Sequence, residues 1–300
     1  MAGASLQTRT VSWHESTRRT RASALLSRTL RTRGAGFGLI LVTLVLLLAL
    51  GADFLAPFDP NRPQGAILQS PSFQHLLGTD HLGRDVLSRI IYGARVAVLA
   101  GVVSVGFAIA LGVTIGLVAG YWGGWVDDVL MRLVDTLWSF PTLVLALAIA
   151  ASLGPGLTNA MIAVGVVFTP AFARLVRGQA LSVRERDFVT AAHVLGAKPH
   201  RIMLKHIWPN VTAPIIVQSS LMIAQAIIVE AALSFLGLGI EPPNPSWGSM
   251  LRQAYQYMDR ALYLSFFPGL AIFLTVLALN FLGDGLRLAL DPRLRERGHA

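Results

Sequence analysis

The sequence predicts an all-α membrane protein with six transmembrane helices. Of its 300 residues, 54% are hydrophobic and 14% are charged, whereas about 25% of the residues in an average soluble domain are charged. Several apolar runs reach the roughly 20 residues that one helix needs to cross a bilayer core. In lipid an open chain satisfies its backbone hydrogen bonds only as helices, so each run is predicted to be helical.

The first apolar run, residues 37–56, is interpreted as an uncleaved span, because no small-residue cleavage site follows a short apolar core. Five further runs of similar character follow it. They cover residues 95–120, 129–153, 159–178, 212–238 and 264–283. This composition disfavours a disordered chain, a coiled coil and a soluble domain that binds nucleic acid.

The distribution of basic residues predicts the orientation of the chain. Residues 1–36 hold seven arginines, the segment from Arg174 to Lys205 holds seven basic residues, and the tail after Asp284 holds four. The segments on the alternate side hold six, so the asymmetry is eighteen to six. Because cytoplasmic loops carry an excess of Lys and Arg, both termini are predicted to be cytoplasmic. The net charge of +9 therefore reflects membrane topology and not a surface that binds phosphates.

These predictions divide the chain into five parts. They are a basic cytoplasmic tail (1–36), a first transmembrane helix (37–56), an extracytoplasmic segment (57–94), a transmembrane domain (95–290) that contains a cytoplasmic loop (179–211), and a second cytoplasmic tail (291–300). The Arg-rich start also resembles a transit peptide, but a basic cytosolic tail is the commoner cause in a membrane protein.

The second span carries small residues at four-residue spacing. They are Ser104, Ala108, Gly112, Gly116 and Gly120. Residues at this spacing lie on one helix face, and small side chains there let a second helix approach closely. We expect this face to be a packing surface, which says nothing about the solute.

Three charged residues, Asp128, Arg132 and Asp135, lie near the start of the third span. They are four and three residues apart, so they share a helix face and can form ion pairs. Asp135 lies about two turns into the span, where an unpaired charge costs several kcal/mol. Pro141 then permits a kink. The cluster is interpreted either as a structural ion pair at the membrane edge or as a gate that rearranges as the helices move.

The fifth span contains polar residues in an otherwise apolar sequence. Gln218 and Gln225 are seven residues apart and share a helix face, whereas Glu230 lies somewhat off that face. The polar face indicates a water-accessible pathway. Glu230 is the one acid of this span, and an intramembrane acid indicates either a proton site or a polar group of a pore.

The segment 75–89 contains two histidines, His75 and His81, and two acids, Asp80 and Asp85, that are conceivable metal ligands. A structural metal site needs four ligands in fixed geometry, so an amphipathic helix over 80–89 is the better interpretation. On such a helix two oppositely charged pairs are four residues apart. The predicted pairs are Asp80–Arg84 and Asp85–Arg89.

Enzyme signatures are missing from the sequence. There is no cysteine, and therefore no thiolate nucleophile and no Cys-ligated metal. The only lysines, Lys198 and Lys205, lie outside any phosphate-binding loop, and no metalloprotease or serine-hydrolase motif occurs. We therefore expect a non-catalytic chain without a bound cofactor, so any use of ATP requires another chain to bind the nucleotide.

The cytoplasmic loop indicates the class of protein. Residues 188–210 alternate polar and apolar positions at helical spacing, with breaks at Gly196 and at Lys198–Pro199, and a second short helix is predicted to end before Pro209. This hairpin resembles the EAA loop of the permease subunits of ABC importers, whose short helix docks into a groove on the ATPase.

Ala191, Ala192 and Gly196 match the pattern of that loop, whereas Thr190 stands where its namesake glutamate would be. The resemblance implies that this loop couples the permease to the ATPase. The candidate coupling residues are Ala191, Ala192, Gly196, Lys198, Arg201 and Pro209.

Three further segments narrow the resemblance to the C-type subunit of the dipeptide, oligopeptide and nickel permeases. They are GTDHLGRDVLSRIIYGAR (78–95), EAALSFLGLGIEPPNPSWGSML (230–251) and FLGDGLRLALDPR (281–293). Together with the loop and residues 127–141, the match covers about residues 76–293.

This resemblance implies a type I ABC importer permease of the bacterial inner membrane, surrounded by lipid. The implied partners are a homologous B-type permease, two ABC ATPases that hold ATP and Mg²⁺, and an extracytoplasmic solute-binding protein. The implied solute is a dipeptide or oligopeptide, with nickel or another small solute as the alternative. A proton-coupled secondary transporter is disfavoured, because neither a second intramembrane ionisable residue nor an inverted repeat is evident. The gate or pathway candidates are Asp128, Arg132, Asp135, Pro141, Gln218, Gln225 and Glu230.

Overall fold

A computed structural model describes residues 33–290, and every regular element in that range is a helix. The predicted all-α class is therefore confirmed. In chain order the helices are α1 (Arg33–Leu50), α2 (Ala52–Leu55), α3 (Val86–Trp122), α4 (Gly124–Trp138), α5 (Thr142–Leu153), α6 (Leu157–Arg184), α7 (Asp187–Val194), α8 (Pro199–Ile202), α9 (Trp208–Phe235), α10 (Trp247–Tyr255) and α11 (Tyr263–Leu290). The tail 291–300 and nearly all of the tail 1–36 lie outside the described residues.

Within residues 33–290, four helical segments are long and apolar enough to cross a membrane. They are α3, α6, α11 and the continuous segment Pro199–Phe235, which contains α8 and α9. The bent pair α4–α5 is a candidate fifth span, and α1 is a shorter apolar helix. All six predicted runs thus fall on helices, while the count of six spans and their orientation stay predictions.

The third predicted span is broken and not merely kinked. α4 and α5 meet at 93° across residues 139–141, so the expectation of one kinked helix over 129–153 is wrong. Pro141 has no backbone N–H to donate, and its ring restricts the backbone of Phe140, which favours the end of a helix there. Pro141 itself has an extended backbone (φ −56°, ψ 127°), and α5 begins at the next residue.

The predicted helix over 80–89 is also wrong, because α3 begins only after Asp85. The Asp85 carboxylate caps the first turn of α3 by accepting a backbone N–H at 2.8 Å, so it does not pair with Arg89. The predicted pair Asp80–Arg84 does form, at 2.7 Å, but within a turn. Arg89 lies 3.6 Å from the same Asp80 carboxylate.

The second short helix of the loop does not end before Pro209. It continues through a π-helical turn, Met203–Ile207, into α9, so this expectation is wrong. Pro209 occupies the first turn of α9. Proline is tolerated in the first turn of an α-helix, because its missing N–H would not bond within that turn.

Helices α3 and α6 pack with their backbones nearly in contact. The predicted stripe of small residues forms this surface, and a Cβ atom added to Gly112 would lie 2.6 Å from Phe172 Cβ and 2.7 Å from the carbonyl oxygen of Thr169. Only a residue without a side chain allows this approach. All five stripe residues are buried: Ser104, Ala108, Gly112, Gly116 and Gly120.

Residues 57–85 and 239–262 lie together at one end of the bundle, which we call the cap end. Arg89 connects the two segments, because its Nη1 donates to the carbonyl oxygen of Pro60 at 2.8 Å and to that of Pro243 at 3.4 Å. Its guanidinium group is almost completely buried. The two segments therefore form one unit with the start of α3.

Candidate functional site

Residues 185–207, which we call the loop end, form a helical hairpin at the opposite end of the bundle. Gly196 follows α7 and adopts a left-handed backbone with φ of +79°. The Gly196 N–H donates to His193 O at 2.9 Å, and the Ala197 N–H donates to Ala192 O at 3.0 Å. These two bonds make a Schellman C-cap, which strongly favours glycine. The helix–Gly–helix turn that the sequence predicts is present.

The tip of this hairpin is apolar and exposed. Val194 is 81% exposed and Leu195 is 86% exposed. Ala191, Lys198 and Arg201 are exposed beside them. Exposed apolar side chains rimmed by polar and charged residues are typical of a protein docking surface.

The other candidate residues of the loop take different positions. Ala192 is only 8% exposed and lies with Val189 on the inner side of α7. Thr190 and Pro209 are exposed. Ala192 therefore supports the hairpin from within, whereas Ala191 belongs to its outer surface.

Arg184 connects the hairpin to α3, a role that the sequence analysis missed. Its Nη1 donates to the carbonyl oxygen of Tyr121 at 2.8 Å, in the last turn of α3. Carbonyl groups at a helix C-terminus lack intrahelical donors and attract positive charge. Arg184, Thr190 and His193 line a cavity of about 360 Å³ between α3 and the hairpin. The sequence signal that could have revealed this contact is Arg184 itself, a basic residue in the last turn of α6, just before the loop.

Two of the three acidic residues of α4, Asp127 and Asp135, pair with arginines of α6. Asp135 binds Arg174 at 2.7 Å, and Asp127 binds Arg177 through two contacts of 2.5 and 2.6 Å. The Arg174 guanidinium also lies 4.5 Å from the centre of the Trp138 ring. The Asp127–Arg177 pair fixes the start of α4 against α6, and the contacts of Arg174 fix its end, just before the break.

The predicted pairing within α4 is therefore wrong. Within residues 33–290, neither Asp128 nor Arg132 takes part in an ion pair, although both lie on the face that the sequence predicted. Asp135 is held instead by Arg174, whose guanidinium approaches it from the neighbouring helix. Helical spacing predicts only the neighbours on the same helix, so the pairing of Asp135 with Arg174 could not be predicted from the sequence.

The break between α4 and α5 borders a cavity of about 680 Å³. Helices α6, α9 and α11 complete its walls. Most of its lining is aromatic or aliphatic, with a few uncharged polar groups, and a ligand pocket typically combines these features. The lining includes Trp138, Phe140, Thr142, Phe168, Gln225 and Asn280.

The polar residues of α9 separate into two environments. Gln225 is exposed and lines the cavity, and Gln218 is half-buried nearer the loop end. Glu230 is only 3% exposed and accepts a hydrogen bond from Ser234 Oγ at 2.6 Å. Glu230 does not line the cavity and has no basic partner among the described residues. The structure thus separates the acid from the glutamine face, as its spacing predicted.

The histidines of the cap end are occupied by other contacts. His75 is fully buried, and its Nδ1 lies 2.9 Å from the Asp85 carboxylate. His81 stacks on the ring of Tyr257 at 5.4 Å, and burial lowers the pKa of its imidazole. Across residues 33–290, no three His, Cys, Asp or Glu side chains lie close enough together to hold a metal ion.

Comparison with known proteins identifies the family. Residues 112–296 match the family described as the binding-protein-dependent transport system inner membrane component. Residues 23–76 match the N-terminal TM domain of oligopeptide transport permease C. A chain of the MetNI methionine ABC transporter, solved in inward-facing conformations, has a TM-score of 0.54 at 18% identity, covering 67% of this chain and 96% of that one. This likeness supports the fold.

Curated relatives are similar over most of their length. The dipeptide transport system permease protein DppC of Alkalihalophilus pseudofirmus is 46% identical over 260 residues, which cover 86% of this chain and 85% of the relative. The glutathione transport system permease protein GsiD of Pectobacterium atrosepticum is 45% identical, with coverage of 85% and 86%. The di/tripeptide permease DppC of Pseudomonas aeruginosa is also 45% identical, with coverage of 88% and 89%. The chain therefore belongs to the permease subunits of binding-protein-dependent ABC importers of the bacterial inner membrane, in the C-type branch of the dipeptide and oligopeptide permeases.

Proposed function

We propose that this chain forms half of the translocation pathway of an ATP-driven peptide importer, and that its loop end couples it to a separate ATPase. The observation that carries the coupling role is the exposed tip of the hairpin, where Val194 and Leu195 are 81% and 86% exposed among residues 33–290. Such side chains gain most when a partner removes them from water. The names of the relatives support a peptide as the solute.

The proposed pathway passes the cavity at the break, and the gate lies where Asp135 meets Arg174 below it. A second, homologous B-type permease closes the pathway. The outer face of α4 supports such a partner, because Trp125, Val129 and Leu133 are exposed at four-residue spacing. That spacing forms one continuous apolar face on the helix.

Two ABC ATPases, which bind ATP and Mg²⁺, drive the cycle, and one of them docks on the loop end of this chain. An extracytoplasmic solute-binding protein delivers the peptide at the cap end. Arg184 transmits movement of the hairpin to α3, because it joins the start of the loop to the carbonyl groups of Tyr121 and Gly120. In this scheme the chain itself is not catalytic and binds no cofactor.

Gly196→Val in the assembled importer tests the coupling role. A left-handed backbone strains a β-branched residue by about 1–3 kcal/mol, so the hairpin should change shape while the membrane helices stay intact. We expect normal pairing with the B-type permease, reduced co-purification of the ATPases and loss of ATP hydrolysis stimulated by the binding protein. Gly269→Val is the control, because Gly269 lies in α11 with open space around it.

Normal ATPase retention and normal stimulated hydrolysis with Gly196→Val would contradict the coupling role. The solute is tested separately, by uptake of labelled dipeptide and of radioactive nickel into vesicles that contain the complete importer. Uptake of nickel without peptide would favour the alternative solute. Uptake that a protonophore abolishes while ATP is maintained would favour a proton-coupled transporter.

A further inference from the structure

The cavity at the break has walls of a particular chemistry. Among its lining residues only Thr142, Gln225 and Asn280 carry polar side chains, and none of the lining residues is charged. Its volume of about 680 Å³ lies within the range of small-molecule sites, about 300–1,000 Å³. A passing solute therefore meets aromatic and aliphatic surface together with neutral hydrogen-bonding groups.

The side-chain amides of Gln225 on α9 and Asn280 on α11 both retain hydrogen-bonding capacity. Asn280 Nδ2 donates to the carbonyl oxygen of Val276 at 3.0 Å, which leaves its side-chain oxygen as an acceptor. The side chain of Gln225 makes no hydrogen bond to any other described residue, so both its amide oxygen and its amide nitrogen are available to a solute. Together they offer donors and acceptors that match a peptide group.

Nearby charges are kept out of the cavity. Arg174 is paired with Asp135 and lies against the Trp138 ring. Glu230 is buried and bonded to Ser234. A fixed charge in a site of low dielectric would discriminate strongly between acidic and basic solutes, and the lining carries none.

We propose that this cavity is a transit site for the peptide main chain, in which Gln225 and Asn280 hydrogen-bond to the amide group and the aromatic walls cover the side chains. The site recognises what all peptides share and does not read the charge of their side chains. This inference rests on the proposed function, and it assigns selection among peptides to another component of the importer.

The test uses the complete importer in vesicles with three labelled dipeptides, Ala-Ala, Ala-Lys and Ala-Glu. Gln225→Leu and Asn280→Leu remove the amides and keep similar size. We expect each variant to slow maximal uptake of all three peptides by about five- to tenfold, the equivalent of about one neutral hydrogen bond. Gln225→Glu should instead discriminate, slowing Ala-Glu at least tenfold more than Ala-Lys.

Thr275→Val is the matched control. Thr275 makes the same kind of bond to its own helix, from its Oγ1 to the carbonyl oxygen of Ala271 at 2.8 Å, but it does not line the cavity. Co-purification of the partner subunits and basal ATP hydrolysis report whether each variant assembles.

Three results are decisive. Peptide uptake by Gln225→Leu and Asn280→Leu equal to that of Thr275→Val would overturn the transit site and leave the proposed function intact. Equal effects of Gln225→Glu on Ala-Glu and Ala-Lys would also overturn it. An unaltered importer that moves none of the three peptides would overturn the proposed function, and this inference with it.

Discussion

Replacing Gly116 by alanine tests how closely α3 approaches α6. A Cβ atom at this position would lie 2.5 Å from the carbonyl oxygen of Ala173 and 2.8 Å from Val176 Cβ. The carbonyl oxygen belongs to the backbone of α6 and has no rotamer that moves it away. To restore an ordinary contact distance, the two helices would have to separate by roughly 1 Å along this surface.

The expected cost follows from this geometry. Overpacking a well-packed interior destabilises by about 1–3 kcal/mol, and the better helix propensity of alanine offsets about 0.5–1 kcal/mol of that cost. Gly106→Ala is the matched control, because Gly106 lies on the same helix with nothing within 4 Å of its added Cβ. The control gains the same propensity without the collision. The difference between the two variants therefore isolates the steric cost.

The assay is unfolding of the purified chain in detergent micelles by increasing sodium dodecyl sulfate, followed by tryptophan fluorescence. We expect Gly116→Ala to have a free energy of unfolding about 1–3 kcal/mol lower than Gly106→Ala. Equal unfolding free energies for the two variants would refute the close approach of α3 and α6.

The remaining predictions concern charge and topology. Glu230→Gln keeps the size and the hydrogen bond of the buried acid, so uptake should stay substantial and ATP-dependent; abolished uptake would contradict a structural role. Asp135→Asn leaves the Arg174 guanidinium without its carboxylate partner one turn before the break, so the free energy of unfolding should fall by more than about 1 kcal/mol; an unchanged value in detergent unfolding would contradict this. Since the chain has no cysteine, the variants Ser72→Cys and Ser182→Cys can be tested in intact cells with a membrane-impermeant maleimide. We expect labelling of the cysteine at 72 and none at 182. The reverse result would invert the predicted topology.

Local spacing made part of the structure predictable. Gly112 and its neighbours follow a four-residue period, so their common face was evident before any packing partner was known. Gly196 indicated a helix end, because glycine adopts the left-handed backbone of a helix C-cap more readily than other residues do. Both features are encoded within a few residues of the chain.

Contacts between distant segments were not predictable in this way. Arg174 is 39 residues from Asp135, and Arg89 reaches Pro243 across 154 residues. The presence of Pro141 indicated a disturbed helix. The 93° bend, however, depends on how α4 and α5 pack against α6 and α9. Cavity walls from five helices likewise require the tertiary arrangement, so only Gln225 was recognised among their polar residues.

The break between α4 and α5 also constrains how long the chain can exist alone in the bilayer. The break lies about 22 Å along the helix axis from the start of α4, and the predicted topology places it within the hydrocarbon core. Backbone groups of residues 139–141 that do not bond within a helix have no partner in lipid, and each costs several kcal/mol there. Water or another protein must cover them. A subunit synthesised in excess of its partner is therefore expected to be short-lived, and the abundance of the permease should follow that of the partner.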